Sequence, residues 1–389
     1  MSAQIAAGGE QATELRYSLM ELAETLTDVI LLGRGDPDMH TPPPIIEAAL
    51  AGFPGPLDPS PVQGLPRLRQ AIAHRYQREK GFDLDPEREI LITTGAQEGL
   101  FLTMLALVDP GDGVLVPDPR YSSYDQAIEA AGGRIVDIPT RAARDFRLEP
   151  EALADRASQG KLLILINPSN PTGSLVPPDE VRAIADVARR SGLLMISDEI
   201  YESLVFDGGR VQSVAACDGM RDRTVTLSGF SKTYAMTGLR VGYLAGPAVF
   251  IDAATRIKAA VSGPCPLFSQ HVAIAALEGP QEPVRAFHRV FEGRRRVMME
   301  GLAALGIPFS QPGGGFYIWA DISKFGLPAP EFCRQLLTGS RVLMFPGSSF
   351  GRQWSGYVRI SLLQPEAKLG EALERIGRFI GTLKAERRA

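Results

Sequence analysis

The sequence predicts an α/β protein: a mostly parallel seven-stranded sheet flanked by helices, plus a smaller α+β domain. Three observations predict it. From residue 89 to about 246, short apolar runs alternate with helix-length amphipathic ones, the pattern of a parallel sheet covered on both faces. Beyond about Gln281 the alternation gives way to one long helix and then to mixed strands and helices. The chain is also large enough for both parts, because 389 residues at roughly 100–200 per domain make two or three packed units. Its 44% hydrophobic and 22% charged residues are the balance of an ordinary globular chain.

In order, the chain opens on a helical stretch over residues 12–26 and then runs through LLGRGDPDMHTPPP, where glycine and proline forbid regular structure. A second break, FPGPLDPSPVQGLP, is richer still in proline. The strand EILIT at 89–93 leads to a helix over 97–108, the turn DPGD, the strand VLVP at 114–117 and a helix over 121–131 closed by Gly132 and Gly133. RIVDIP at 134–139, KLLILIN at 161–167, LLMISD at 193–198, TVTLSG at 224–229 and LRVGYLAG at 239–246 complete the seven strands, with a helix over 178–192 among them. The long helix that follows carries Phe287, Phe291, Met298, Leu302 and Leu305 on one face. After it come FYIWAD at 316–321, a helix over 328–337, the strands RVLMF at 341–345 and YVRISLL at 357–363, and a last helix from about Pro365. The division expected is a large domain over 39–280 and a small one made of 1–38 and 281–389.

Charge and composition exclude several classes. The 41 basic and 45 acidic residues leave −4, with no long basic run, so nucleic acid is not an expected partner. No apolar stretch reaches the roughly 18 residues a membrane span needs, and the N-terminus lacks a secretory pattern. Cys217, Cys265 and Cys333 are odd in number and far apart, which fits neither a disulfide framework nor a zinc site and points to a reducing cytoplasm. His40, His74, His271 and His288 are scattered outside any ligand motif, so no metal is expected. Only seven residues are lysine, which shortens the list of candidates for any lysine chemistry.

Open parallel sheets bind ligands beyond the carboxyl ends of their strands, and the unusual residues fall there. Gly95-Ala96-Gln97 follows EILIT and opens a helix, where free N–H groups suit an anion such as phosphate; a tight turn needing glycine for steric reasons accounts for the same residues. Asn167-Pro168-Ser169-Asn170-Pro171-Thr172-Gly173 is a stiff loop presenting asparagines at the same edge. Asp198 ends LLMISD, where a carboxylate can hold a metal, act as a base or pair with a cationic ring nitrogen, and Tyr201 follows it. After TVTLSG come Ser231 and Lys232, with Arg240 eight residues on. A partly desolvated lysine suits Schiff-base chemistry, and arginine with serine hydroxyls suits a phosphate dianion. A phosphate cradle, a strand-end carboxylate, an asparagine loop and a lysine beside an arginine are together what pyridoxal phosphate requires.

GDPD at Gly35, NPSNPTG at Asn167, SDEIY at Ser197, SGFSKTYAMTGLRVGY at Ser228 and YVRISL at Tyr357, in that order, resemble the class I/II aminotransferases, fold type I pyridoxal phosphate enzymes, from about Gly35 to the last helix. The resemblance implies an exchange of the amino group between an L-amino acid and a 2-oxo acid by a ping-pong cycle. It implies that Lys232 forms the Schiff base and shuttles the α-proton, that Asp198 keeps the pyridine nitrogen protonated, and that Tyr201 and Asn170 hydrogen-bond the ring's 3′ oxygen. Tyr121 matches the aromatic that stacks on the ring, while Gly95, Ala96, Gln97, Ser231 and Arg240 correspond to the phosphate site. Arg359, helped by Gly35 and Asn170, looks like the fork for the substrate α-carboxylate; a structural ion pair is the other reading of that arginine. Relatives place a tyrosine where Pro59 stands here, reaching the neighbouring subunit's cofactor, and a proline has no hydroxyl to offer. A homodimer with active sites at the subunit boundary is still implied. Arg16 and Tyr17 lie in a segment that closes over the substrate in relatives, and Phe316, Tyr317 and Trp319 are expected mostly in strand core with one or two lining the site. Because fold does not dictate reaction, β-elimination, decarboxylation or cyclisation of an α-amino acid is the alternative. A non-catalytic sensor is the third reading, disfavoured because the matching pattern runs from Gly35 to the last helix and leaves no region for DNA binding.

Overall fold

The computed structural model describes residues 10–53 and 60–386. Its strands are β1 (Ile30–Leu31), β2 (Ile90–Thr93), β3 (Gly113–Asp118), β4 (Arg134–Pro139), β5 (Leu162–Ile166), β6 (Leu194–Asp198), β7 (Thr224–Gly229), β8 (Gly242–Ala245), β9 (Tyr317–Asp321), β10 (Val342–Leu343), β11 (Phe345–Pro346) and β12 (Tyr357–Ser361). Its α-helices are α1 (Glu10–Glu24), α2 (Pro43–Ala51), α3 (Pro66–Lys80), α4 (Ala96–Leu107), α5 (Ser123–Ala130), α6 (Pro150–Ala154), α7 (Pro178–Arg190), α8 (Ala248–Val261), α9 (Leu267–Glu278), α10 (Glu282–Ala304), α11 (Ala329–Ser340) and α12 (Glu366–Glu386).

Seven strands form one sheet in the order β2-β8-β7-β6-β5-β3-β4. The neighbours from β7 to β4 are parallel, and β8 runs against both β7 and β2. The inner strands are buried on both faces, which is why LLILI and TVTLSG read as continuous rather than alternating runs. At the edge, β4 turns Arg134 and Asp137 to solvent and Val136 and Ile138 inward. Helices cover the faces. On α7, Val181, Ile184, Ala185 and Ala188 form the buried stripe, with Asp179 and Glu180 in the first turn and Arg189 and Arg190 in the last, as the helix dipole favours. Phe291, Met298 and Leu302 of α10 are buried as their spacing predicts, while Phe287 and Leu305 are only half-buried.

Two smaller sheets complete the fold: β11-β12-β9, antiparallel, and the parallel pair β1-β10. Three differences from the sequence reading have physical causes. RVLMF is not one strand, because Val342–Leu343 pairs with β1 whereas Phe345–Pro346 pairs with β12. The proline-rich stretches are not only breaks: Pro43 and Pro66 each open a helix at its first position, where the missing N–H costs nothing. The helices α8 and α9 fill a stretch to which the sequence reading assigned no element.

Candidate active site

The carboxyl ends of β2, β3, β5, β6 and β7 and the start of antiparallel β8 share one edge of the large sheet, and a cavity of about 320 Å³ lies over it. Of the sequence-predicted residues, Gly35, Ala96, Gln97, Tyr121, Asn170, Asp198, Tyr201, Ser231, Lys232, Arg240 and Arg359 all line this one cavity. Gly95 lies just beneath it. With a backbone φ of +81°, it is packed so closely under Arg240 that a β-carbon there would meet the guanidinium Nη2 at 2.5 Å. The Pro59 position lies outside the described residues.

Lys232 sits in the loop after β7, with Nζ donating to Gly35 O at 2.7 Å and to Asp36 Oδ1 at 3.2 Å. Burial pushes its amine below the ordinary lysine value, with Asp36 pulling the other way. Asp198, at the end of β6, is buried. Tyr124 donates to its Oδ2 and the Ile200 N–H to its Oδ1 at 3.0 Å. Burial raises its carboxyl to about 6 despite these donors, and among the described residues no cation pairs with it. The asparagine loop is fastened by Asn167, whose side chain donates to Val176 O and accepts from Val176 N–H, leaving Asn170 free to face the cavity.

Arg359 reaches the cavity from β12. Its Nη1 donates to Asn170 Oδ1 at 3.0 Å and its Nη2 to Gly33 O at 2.7 Å, and its guanidinium carbon lies 4.2 Å from the Tyr317 ring centroid and 4.6 Å from that of Phe350. Among the described residues it makes no structural ion pair: its bonds go to neutral oxygens, and its buried Nε has no partner there. Of the three aromatics of FYIWAD named above, Tyr317 lines the cavity while Phe316 and Trp319 are core. Arg16 lines it too, whereas Tyr17 is 65% exposed.

Residues missed in the sequence also face the cavity. Tyr124 is three residues from Tyr121 on the first turn of α5, and that spacing was the one available signal. Asp36, Ile200 and Thr237 lie inside the motifs GDPD, SDEIY and SGFSKTYAMTGLRVGY without being singled out there, and Leu100 and Phe345 carried no signal. Among the described residues no cluster of histidine, cysteine or carboxylates can hold a metal, and no helix is long and apolar enough to cross a membrane.

A mostly parallel sheet that gathers a desolvated lysine, an unpaired buried carboxylate and an anion cradle at one edge is the framework of a pyridoxal phosphate-dependent transferase. A family model described as aminotransferase class I and II matches residues 27–376, and the chain belongs to that family. It is 37% identical to an aspartate aminotransferase of Pyrococcus abyssi over 95% of both chains, and 36% identical to an aromatic-amino-acid aminotransferase of Thermococcus litoralis over 95% of both. The crystal structure of an aromatic aminotransferase from Pyrococcus horikoshii superposes with a TM-score of 0.89 at 36% identity, covering 94% of this chain and 99% of that one. The protein is a pyridoxal phosphate-dependent aminotransferase, and the eliminating, decarboxylating and cyclising alternatives are not favoured. The cavity fits the cofactor: Asp198 is a buried carboxylate wanting a cation, the Arg240 guanidinium makes among the described residues a single long bond, to Thr237 O at 3.3 Å, and the N-terminus of α4, with no side-chain cap, faces the same space.

Proposed function

We propose that transamination runs in this cavity, with Lys232 as its attachment point and proton carrier. Gly95, Ala96, Gln97, Ser231 and Arg240 would hold the cofactor's phosphate, Tyr121 its ring face, Asp198 its ring nitrogen, and Asn170 with Tyr201 its 3′ oxygen. When bound, the cofactor supplies an electron-withdrawing ring that stabilises negative charge at the substrate α-carbon. Arg359, with Gly35 and Asn170, binds the substrate α-carboxylate in a fork, which orients the α-hydrogen. Lys232, whose burial lowers its amine's hold on a proton, would take the substrate's α-proton on Nζ and deliver it to the cofactor's C4′ carbon. Asp198 stays ionised against the ring nitrogen, and Tyr124 holds it in place.

The observation that carries this reading is the buried Lys232 amine in one cavity with the unpaired Asp198 carboxylate. The test is to add single amino acids to the holoenzyme without a 2-oxo acid. Release of the matching 2-oxo acid is expected, and Lys232→Ala should abolish it while the far-ultraviolet circular dichroism stays native; turnover by that variant would sink the assignment. The reading includes a large domain over 39–280 with a small one from 1–38 and 281–389, supported by the pairing of β1 with β10. It also includes a homodimer and, from three unpaired cysteines, a reducing cytoplasmic location that cell fractionation checks; recovery in an oxidising compartment counts against it.

A further inference from the structure

Among the described residues lining the cavity, four side chains are cationic, Arg16, Lys232, Arg240 and Arg359, and two are carboxylates, Asp36 and Asp198. Three of the cations have an anion: Lys232 has Asp36 at 3.2 Å, and the function proposed above gives Arg240 the cofactor's phosphate and Arg359 the substrate α-carboxylate. Arg16 is left over. It projects from α1, donates through Nη2 to the Ser122 hydroxyl, and lies with its guanidinium carbon 5.7 Å from the centroid of the Phe350 ring. Arg359 stacks on that same ring at 4.6 Å. Among the described residues, the Nε of each arginine is buried without a hydrogen-bond partner. Burial and then the Arg359 charge push the Arg16 pKa down, so the two guanidinium groups feel each other.

Two cations withdrawn from water around one aromatic ring repel each other, and among the described residues neither has a carboxylate partner. A ligand with a single carboxylate satisfies one of them. A ligand with two satisfies both, and places opposite charge between like charges. The chemistry that completes this cavity is therefore a dicarboxylate.

We propose that Arg16 binds the side-chain carboxylate of the substrate, so that dicarboxylic L-amino acids and their 2-oxo acids are the preferred substrates. The proposal rests on the aminotransferase reading and on Arg359 holding the α-carboxylate. Arg16 is a binding residue supplied by the same chain, from a helix remote in sequence from the motifs that hold the cofactor.

The test compares holoenzyme, Arg16→Gln and Arg16→Lys in single turnovers with L-aspartate, L-glutamate, L-alanine and L-leucine, and measures calorimetric binding of succinate and propionate. Wild type should favour a dicarboxylic amino acid. Arg16→Gln should lower kcat/KM for it by about 10- to 100-fold, the usual effect of losing a charge-assisted hydrogen bond. The neutral amino acids should change by less than about threefold, a difference too small to count as a lost hydrogen bond. Arg16→Lys, which keeps charge without the fork, should recover part of the loss. Succinate binding should weaken in Arg16→Gln while propionate binding does not. Equal losses for both substrate classes would show that Arg16 only positions α1, and that would overturn the proposal. So would a wild type that prefers neutral amino acids, or succinate binding indifferent to Arg16. Binding of succinate that depends on Arg16, in an enzyme that releases no 2-oxo acid from any amino acid, would uphold the subsite and overturn the transamination reading alone.

Discussion

Asp198 shows how one residue's surroundings set a measurable property of the whole enzyme. Its ordinary carboxyl value is 3.8, and burial raises it to about 6. A raised carboxyl favours the folded cofactor-free chain at low pH, below the unfolded value, and that contribution is lost as pH rises through about 6. In the role proposed for Asp198 the ionised form pairs with the cofactor's protonated ring nitrogen, so cofactor affinity should run the opposite way. It should fall as pH drops below about 6, by at most about tenfold per pH unit. Fluorescence titration of the cofactor-free protein between pH 5 and 7.5 checks this, and a flat profile would contradict it. Tyr124→Phe removes a donor that lowers Asp198, so its midpoint should move up and affinity at neutral pH should fall by about tenfold. At Arg359 the geometry is equally specific. The guanidinium is clamped between Tyr317 and Phe350 and aimed by Asn170 and Gly33, which a lysine ammonium cannot reproduce. Arg359→Lys should therefore raise substrate KM by roughly a hundredfold, as losing a bidentate charged pair implies, and leave the cofactor absorbance unchanged. Matching losses in substrate and cofactor binding would make Arg359 a structural residue.

At the scale of elements, the turn after β6 is held from both sides. Asp198 and Tyr201 face the cavity, whereas Glu199, buried, and Glu202, half-buried, one residue along from each, pair with residues of α3. Lys80 pairs with both glutamates, Arg75 pairs with Glu202 at 3.0 Å, and the Ser197 hydroxyl donates to Glu199 at 2.8 Å. Arg75 also pairs with Glu79 at 2.7 Å, so Lys80 is the cation on which Glu199 depends. Lys80→Met would leave the buried Glu199 carboxylate with no cation and only the Ser197 hydroxyl, which should destabilise the fold by about 3–5 kcal/mol. Thermal or urea unfolding measures it, and a loss below about 1 kcal/mol, the worth of a surface pair, would show the network to be solvated. None of this was legible from sequence. The four groups at strand ends were, because each is local: a glycine at a turn, two Asn-Pro steps, a carboxylate closing an apolar run, and a lysine after the next strand with an arginine eight residues on. The helix that braces them from behind begins in a proline-rich stretch, and proline reads as a break until its place at the first helical position is known.

For the whole molecule, the cavity's walls come from the edge of the large sheet, from β12 of the three-stranded sheet and from α1, so its completeness depends on their mutual packing. Cluster packing ties these parts together, with Leu19 of α1, Ile30 of β1, Tyr201 and Phe291 of α10 in one continuous hydrophobic core. The proposed homodimer belongs to this scale. Sedimentation of the holoenzyme should find a species of twice the 42.0 kDa chain mass, and a monomer at micromolar concentration would refute it.

The sequence by itself determined the seven strands, the chemistry gathered at their carboxyl ends and the family, because side-chain periodicity and turn chemistry are short-range properties of the chain. Tertiary structure alone decided how those groups meet. Arg240 arrives at the site only because β8 runs antiparallel and so starts at the edge where its neighbours end. Arg359, Arg16 and Tyr317 come from segments up to 343 residues apart, from Arg16 to Arg359, and nothing in their local sequence records that distance closing. Strand order and packing against a shared core set those separations, and both depend on contacts between residues remote in the chain.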